Sequence, residues 1–265
     1  DIDVDGTTNL DAVDIDGAVD IAGNLTVDGG TIKLDGNYPT GTNNVALGDT
    51  ALDDGSLSGS HNTAVGHAAL TANTSGASNT GIGREALATA TTGSDNTAVG
   101  KLALYANTTA SNNTAVGSDA LVSNTTGASN VGVGTQALGA NTTGAGNTAV
   151  GYQALDANTT ANNNTAVGRT ALGANTTGTS NVAMGQAALV ANTTASNNVA
   201  IGRDAMFVNT TGHSNVAVGY QSLYSNTTGT SNVAVGYLAA DANTEGYAIT
   251  AIGENALGAN TTGYD

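Results

Sequence analysis

Acidic side chains are the most numerous candidate metal ligands in this sequence of 265 residues, and nine of the 21 lie in its first 43 residues. Several are two residues apart, as are Asp1, Asp3 and Asp5, or Asp14 and Asp16. In a strand such residues point to one side, where they can hold Ca²⁺. However, no Asp-x-Asp-x-Asp-Gly loop with a closing Glu follows them. We therefore expect a solvated acidic face and no cofactor, with a calcium site as the alternative.

Nucleophilic catalysis requires a Cys, Ser or Thr beside an oriented base. Cysteine is absent, and the Ser and Thr hydroxyls recur at fixed intervals, which is typical of a structural repeat and not of a single active site. The three histidines, His61, His67 and His213, occupy three different positions of that repeat, so stacking does not assemble them into a metal triad. We predict that the protein is not an enzyme and that these histidines are surface residues.

The net charge of the chain limits the classes of molecule that it can bind. There are 21 acidic and 5 basic residues, and the formal net charge of -16 repels phosphate backbones and anionic lipids. No apolar run reaches the ~18 residues of a membrane span. The first residues also do not form a basic and then apolar leader. We expect neither nucleic acid binding nor membrane insertion.

A repeat of 17 residues fills most of the chain. The unit begins Asn-Thr-Ala-Val-Gly, continues after two variable residues with Ala-Leu, and after two more with Asn-Thr-Thr-Gly and two final variable residues. Thirteen units run from 44 to 265, and the first is one residue longer than the others. We number positions from the first Asn of the unit, and we call the residues at one position of successive units a column.

The columns predict which residues form the core. Column four is always aliphatic or Met, and column nine is Leu apart from Met206 and Ala240, so we expect both columns to be buried. Columns three and eight hold only small residues, which indicates tight packing, and column five is always Gly, which requires a positive φ or a close backbone approach. Asn-Thr-Thr-Gly is a turn signal, because Asn tolerates left-handed geometry and bonds to its own backbone. Each unit is predicted to contain two short strands and two turns.

This pattern predicts an all-β protein, with a parallel β-roll or β-solenoid of thirteen 17-residue coils over residues 44–265. The glycines, the turn and the β-branched residues leave no helix of useful length. Residues 1–43 have a different pattern, in which alternating aliphatic residues and Asp-Gly turns indicate a separate, short Asp-rich β segment.

The repeat also predicts an assembly of several chains. Ordering a coil of 17 residues costs far more conformational entropy than the burial of two large side chains returns. Continuous columns of small residues would let solenoids pack side by side and bury a second face. We therefore predict an obligate homo-oligomer, and a trimer in particular, with a well-bonded monomer as the alternative.

The units from Asn44 to Gly263, with their Asn-Thr-Ala-Val-Gly and Ala-Leu motifs, resemble the head repeats of trimeric autotransporter adhesins, although the period here is longer. With the Asp-rich stretch from Gly6 to Val19, the whole pattern is more similar to tail fibre proteins of marine bacteriophages. That resemblance implies a trimeric fibre shaft or adhesin, in a virion or another extracellular setting, that attaches to a glycan or protein of a host surface. The heptad stalk and membrane barrel of autotransporters are not seen, which favours the phage interpretation. A bacterial cell-surface adhesin or extracellular filament subunit is the alternative.

The variable columns offer candidate contact residues. Tyr and Arg are frequent in recognition surfaces, and we hypothesise that Phe207, Tyr220, Tyr224 and Tyr237 form a cluster that contacts a glycan or receptor. Alternatively, these residues are surface side chains with no binding role, or they pack between chains.

Ice binding is a second alternative function, because Thr ladders on flat β-solenoids resemble ice-binding faces. Two features count against a single flat Thr array. Adjacent threonines of the Asn-Thr-Thr-Gly turn would point to opposite sides of a strand, and column two mixes Thr with Val.

Overall fold

The computed structural model describes residues 42–263, and the regular elements within that range are thirteen three-residue strands. Each strand occupies positions two to four of a unit, where β-branched residues favour extended backbone. In chain order the strands are β1 (Val45–Leu47), β2 (Thr63–Val65), β3 (Thr80–Ile82), β4 (Thr97–Val99), β5 (Thr114–Val116), β6 (Val131–Val133), β7 (Thr148–Val150), β8 (Thr165–Val167), β9 (Val182–Met184), β10 (Val199–Ile201), β11 (Val216–Val218), β12 (Val233–Val235) and β13 (Thr250–Ile252).

The strands form one parallel sheet in the order in which they follow one another along the chain. Val99 pairs with Val116, and the same offset of one unit holds along the sheet. The exception is the step from β1 to β2, where Val45 pairs with Thr63 because the first unit is longer. The chain is therefore a parallel β-solenoid with about 17 residues per coil, and the predicted fold class is confirmed.

Each coil contains one strand, so the prediction of two was wrong. The second half of the coil consists of turns in which residues at positions seven and nine adopt left-handed geometry, as do Gln153 and Leu155, both with a φ of 52°. Left-handed Leu is uncommon, which is why the sequence pattern did not indicate it. These residues still bond between coils, since Leu155 N donates to Ala171 O at 3.0 Å. The backbone ladder thus continues around the coil without β geometry.

The apolar core consists of columns three, eight and nine. In the coil that contains β7, Ala149, Ala154 and Leu155 are all 0% exposed. The small residues of columns three and eight lie beside the large residue of column nine, so the predicted tight packing is confirmed. Column five also behaves as predicted: Gly151 has a φ of +136°, and a Cβ there would lie 2.6 Å from the carbonyl oxygen of Gly168.

Column four is not part of the core, and that prediction was wrong. Val116, Val150 and Ile201 are 37%, 36% and 38% exposed. The physical reason is the alternation of side chains along a strand: position three points inward with its small side chain, so positions two and four both point outward.

Asparagine fills the remaining interior. In column twelve, Asn141 is 0% exposed, and its Nδ2 donates to Asn124 Oδ1 at 2.8 Å and to Gly144 O at 3.0 Å. In turn its Oδ1 accepts from Asn158 Nδ2 at 2.8 Å. The predicted bond to its own turn is therefore present. The left-handed geometry is found instead at positions seven, nine and seventeen.

Column one forms a second buried amide ladder with a different pattern. The Oδ1 atom of Asn147 accepts from the backbone N of Asn164 at 3.0 Å, and its Nδ2 donates to Ala161 O at 2.8 Å. Each Asn of this column therefore joins two neighbouring coils and also closes its own coil. These two ladders satisfy polar groups that the apolar columns cannot reach.

The separate Asp-rich segment predicted over 1–43, and with it the candidate calcium ligands, lies outside the described residues except for its last two positions.

Candidate functional site

The outward face of the sheet is a regular surface that runs along the solenoid. We call it the sheet face and define it as columns two and four of strands β1–β13. Column two contains only Thr and Val, and column four only Val, Ile, Leu and Met. Its column-four residues on the inner strands are half-buried, with 36% exposure at Val150 and 41% at Met184, and exposure is higher on the end strands, at Leu47 and Ile252. The face is therefore uncharged along its whole length, on a protein whose net charge is -16.

The sheet face is also strictly periodic. Neighbouring parallel strands lie ~4.8 Å apart, and each strand presents one residue of column two and one of column four. Contiguous exposed apolar patches of this kind mark interaction sites in soluble proteins. The arrangement offers many weak apolar contacts at a fixed spacing, and its polar groups are the Thr hydroxyls of column two.

The residues predicted to contact a receptor form two stacked pairs. In column ten the rings of Phe207 and Tyr224 stack at a centroid distance of 5.3 Å with an interplanar angle of 11°, and in column six Tyr220 and Tyr237 stack at 5.3 Å and 13°. Each ring therefore covers one face of its neighbour in the next coil. The ring edges and hydroxyl groups remain the parts best placed for contact with a partner.

A cation, Arg203, stacks on the outer face of the column-six pair. The guanidinium carbon of Arg203 lies 5.0 Å from the centroid of Tyr220, and its Nε donates to Asp204 Oδ2 at 3.0 Å. The hydrogen bond to Asp204, followed by the charge interaction with Tyr220, raises the pKa of Arg203. Arg203 thus stays charged and is held in a defined orientation on the surface.

A notch of about 260 Å³ lies beside column ten, where Gly173 contributes no side chain between Asp156 and Val190. The amide of Gln153 and the hydroxyl of Thr170 also line it. Burial raises the pKa of Asp156. The lining contains one carboxylate and neither a second titratable group nor a base next to the hydroxyl, so it lacks the pairing that acid–base or nucleophilic catalysis requires.

Each of the three histidines has a different neighbour. Asn43 Nδ2 lies 3.1 Å from His61 Nε2, His67 Nε2 is 4.0 Å from Asp49, and His213 Nδ1 is 3.3 Å from Ser214 Oγ. Over residues 42–263, no three His, Asp or Glu side chains gather closely enough to hold a metal ion. The same range contains no helix that could cross a membrane.

No family model, curated protein or solved structure matches this chain. Its function must therefore be argued from the surfaces that the solenoid presents.

Proposed function

We propose that the protein is a structural fibre protein, the shaft or adhesin of a phage tail fibre that attaches to a host surface, assembled from several copies of the chain. The observation that carries this proposal is the sheet face, an uncharged surface of aliphatic and Thr side chains that extends over thirteen strands. The trimeric state and the setting in a virion or at another extracellular site follow from the sequence resemblance. A bacterial surface adhesin or filament subunit would use the same assembly.

A second copy of the chain is the partner that the sheet face fits best. Its side chains recur at the spacing of the coils, so only a surface with the same spacing matches it over many rungs. The chains repel one another through a net charge of -16 each, and the sheet face is a surface on which two copies can meet without bringing like charges together. Burial of its Val and Ile side chains supplies the driving force.

Cross-linking of single cysteines tests this assembly, because the natural sequence has no cysteine and each introduced thiol is unique. Val65→Cys lies in β2 and Val235→Cys in β12, ten coils and about 48 Å apart at the spacing of parallel strands. In a parallel assembly in coil register, a short bismaleimide joins each variant to itself. In an antiparallel assembly it joins only a mixture of the two variants.

Thr143→Cys is the matched control, because column fourteen is exposed but lies outside the sheet face. We expect it to give little cross-linking. If it cross-links as well as the column-four variants, or if no variant cross-links, the sheet face is not the interface between copies.

Attachment is tested separately with fluorescently labelled protein on a panel of marine bacteria. We expect saturable binding to the surface of particular strains, in competition with unlabelled protein. Absence of binding to every strain would contradict the proposed attachment to a host surface. The proposed assembly into a fibre would then be decided by the cross-linking result alone.

Ice binding is a second candidate function, favoured by the regular outward array of column two, in which Thr63, Thr80, Thr97 and Thr114 follow one another on neighbouring strands. Val interrupts this array at Val131 and at four consecutive strands from Val182 to Val233. An ice-binding role requires the face to be free. A monomer with thermal hysteresis would therefore support ice binding over the fibre.

A further inference from the structure

Every basic residue of the repeat lies in one column. Arg84, Lys101, Arg169 and Arg203 all occupy position six, and the fifth base, Lys33, precedes the repeat. All four are exposed. Column six contains no acidic residue from 67 to 237. We call this stretch of column six the basic ridge. Its net charge is positive, whereas the net charge of the whole protein is negative.

The charge around the basic ridge is nearly balanced. Residues 62–231 contain five acids and four bases, so the excess of acids lies towards the two ends of the chain. Two of the five acids are already paired with the ridge, Glu85 with Arg84 at 3.6 Å and Asp204 with Arg203 at 3.0 Å. Asp119 remains beside the ridge, where its Oδ2 accepts from Ser118 Oγ at 2.7 Å. Repulsion of an anionic ligand is therefore reduced, but not absent, at this part of the solenoid.

Two of the bases are available for an external anion. Neither Lys101 nor Arg169 makes an ion pair with another described residue. Arg203 is held by Asp204 and by the ring of Tyr220, to whose hydroxyl its Nη2 lies at 3.4 Å. The ridge thus combines free cations with one preorganised guanidinium.

The positions between the bases carry neutral polar groups. Ser118 and Thr135 follow Lys101, and Gln186 lies between Arg169 and Arg203. At ~4.8 Å per coil, Arg169 and Arg203 are about 10 Å apart along the solenoid axis. Cations at this interval, separated by hydroxyl and amide groups, form a linear surface that runs parallel to the axis.

We propose that the basic ridge binds a linear acidic polysaccharide that lies along the solenoid. A glycan with one carboxylate or sulfate per disaccharide carries its charges at an interval close to that of Arg169 and Arg203, and the hydroxyl and amide side chains can bond to sugar hydroxyls. Duplex DNA fits less well, because its charges recur every ~1.7 Å. Single-stranded nucleic acid also fits less well, because the rings of Tyr220 and Tyr237 already stack on each other. This proposal deepens the proposed attachment to a host surface and rests on it.

Binding to immobilised glycans tests the ridge in the native assembly. The probes are kappa-carrageenan, which carries one sulfate per disaccharide, hyaluronan, which carries one carboxylate per disaccharide, and dextran, which is neutral. We expect the protein to bind one or both acidic glycans and not dextran, with an affinity that falls steeply as salt is raised. The double variant Lys101→Gln/Arg169→Gln should weaken this binding by about tenfold or more, since it removes two charge-assisted contacts.

The matched control is Thr126→Asp/Thr177→Asp, which changes the net charge by the same amount at exposed positions of column fourteen. We expect it to weaken binding far less. Equal weakening by both double variants, equal binding to dextran, or no binding to either acidic glycan would overturn the proposal. The mass of the protein in solution distinguishes failure of this proposal from failure of the proposed fibre assembly. An intact oligomer that does not bind acidic glycans would contradict only the proposed binding at the basic ridge.

Discussion

Column twelve and column four place their side chains contrary to the usual distribution of polar and apolar residues. Asn141 of column twelve is 0% exposed, whereas Val150 of column four is 36% exposed, although both columns are nearly uniform in residue type. The Asn is inside because each amide finds its partners in the coils on either side. The Val is outside because the alternation of the strand points it away from the coil.

This comparison shows that uniformity of a column does not indicate burial. A column is uniform when its side chains interact with their own copies in neighbouring coils, or with a partner that has the same repeat. Column twelve satisfies the first condition within one chain. We infer the second condition for column four, and it requires another copy of the protein.

The largest expected effect concerns column four. The triple variant Val133→Lys/Val150→Lys/Val167→Lys places charges on three successive strands of the sheet face, and we expect it to abolish assembly, because buried unpaired charges are strongly unfavourable. Light scattering should then report a monomer, while circular dichroism retains the spectrum of the native coils. Thr126→Lys/Thr143→Lys/Thr160→Lys in exposed column fourteen is the control and should leave the mass unchanged. Unchanged mass in the column-four variant would contradict the assigned interface.

The next effect concerns column twelve. Asn141→Ala removes the partners of Asn124 Oδ1 and Asn158 Nδ2 within the buried ladder, and we expect it to lower the free energy of unfolding by about 3 kcal/mol, since each orphaned buried group costs ~1–3 kcal/mol. Chemical denaturation measures the loss. Thr143→Ala, at an exposed position two residues away, should change stability by less than ~0.5 kcal/mol. Equal effects of the two substitutions would show that the ladder does not stabilise the coil.

A gain of stability is expected where column twelve is interrupted. Asn73 Oδ1 is buried and has no hydrogen-bond partner, because the next residue of the column is Ala90 and not Asn. Ala90→Asn supplies the missing donor, and it also supplies an acceptor to Asn107 Nδ2. We expect the free energy of unfolding to rise by about 2 kcal/mol. A loss of stability would mean that the coil around Ala90 has closed over the space that the amide requires.

The smallest effect concerns Asp156 in the notch. Burial raises its pKa, so the folded state favours the protonated acid, and the associated stability is present below the unfolded pKa and lost as pH rises through the folded value. Asp156→Asn should therefore raise the melting temperature slightly at pH 7 and have no effect at pH 3. The gain should stay below ~0.5 kcal/mol because the side chain is only half-buried and solvent screens it. A larger gain at pH 3 than at pH 7 would contradict this assignment.

The sequence was sufficient to predict the coils, their length of about 17 residues and the need for Gly in column five, because these depend on the period and on local backbone sterics. It misplaced column four, since an invariant aliphatic residue such as Val150 is typical of a core when only one chain is considered. The alternation of Thr148, Ala149 and Val150 carried the correct signal, since the small Ala had to face inward. Left-handed Leu155 had no local signal at all, because packing between coils, and not residue preference, determines its φ.

The candidate surfaces were predicted only in part. Tyr220 and Tyr237 lie one unit apart, so their stacking follows from the period. The restriction of Arg84, Lys101, Arg169 and Arg203 to column six could also have been found by aligning the units. The buried ladders of Asn were not predictable, because the same residue type in the same motif is equally typical of an exposed turn.

The mass of the native protein in solution, measured by light scattering after size exclusion, decides whether the sheet face joins several copies of the chain. We predict an oligomer held together by the sheet face, with a mass near three times the 25.6 kDa of one chain. A stable monomer of 25.6 kDa with its sheet face open to water would contradict it.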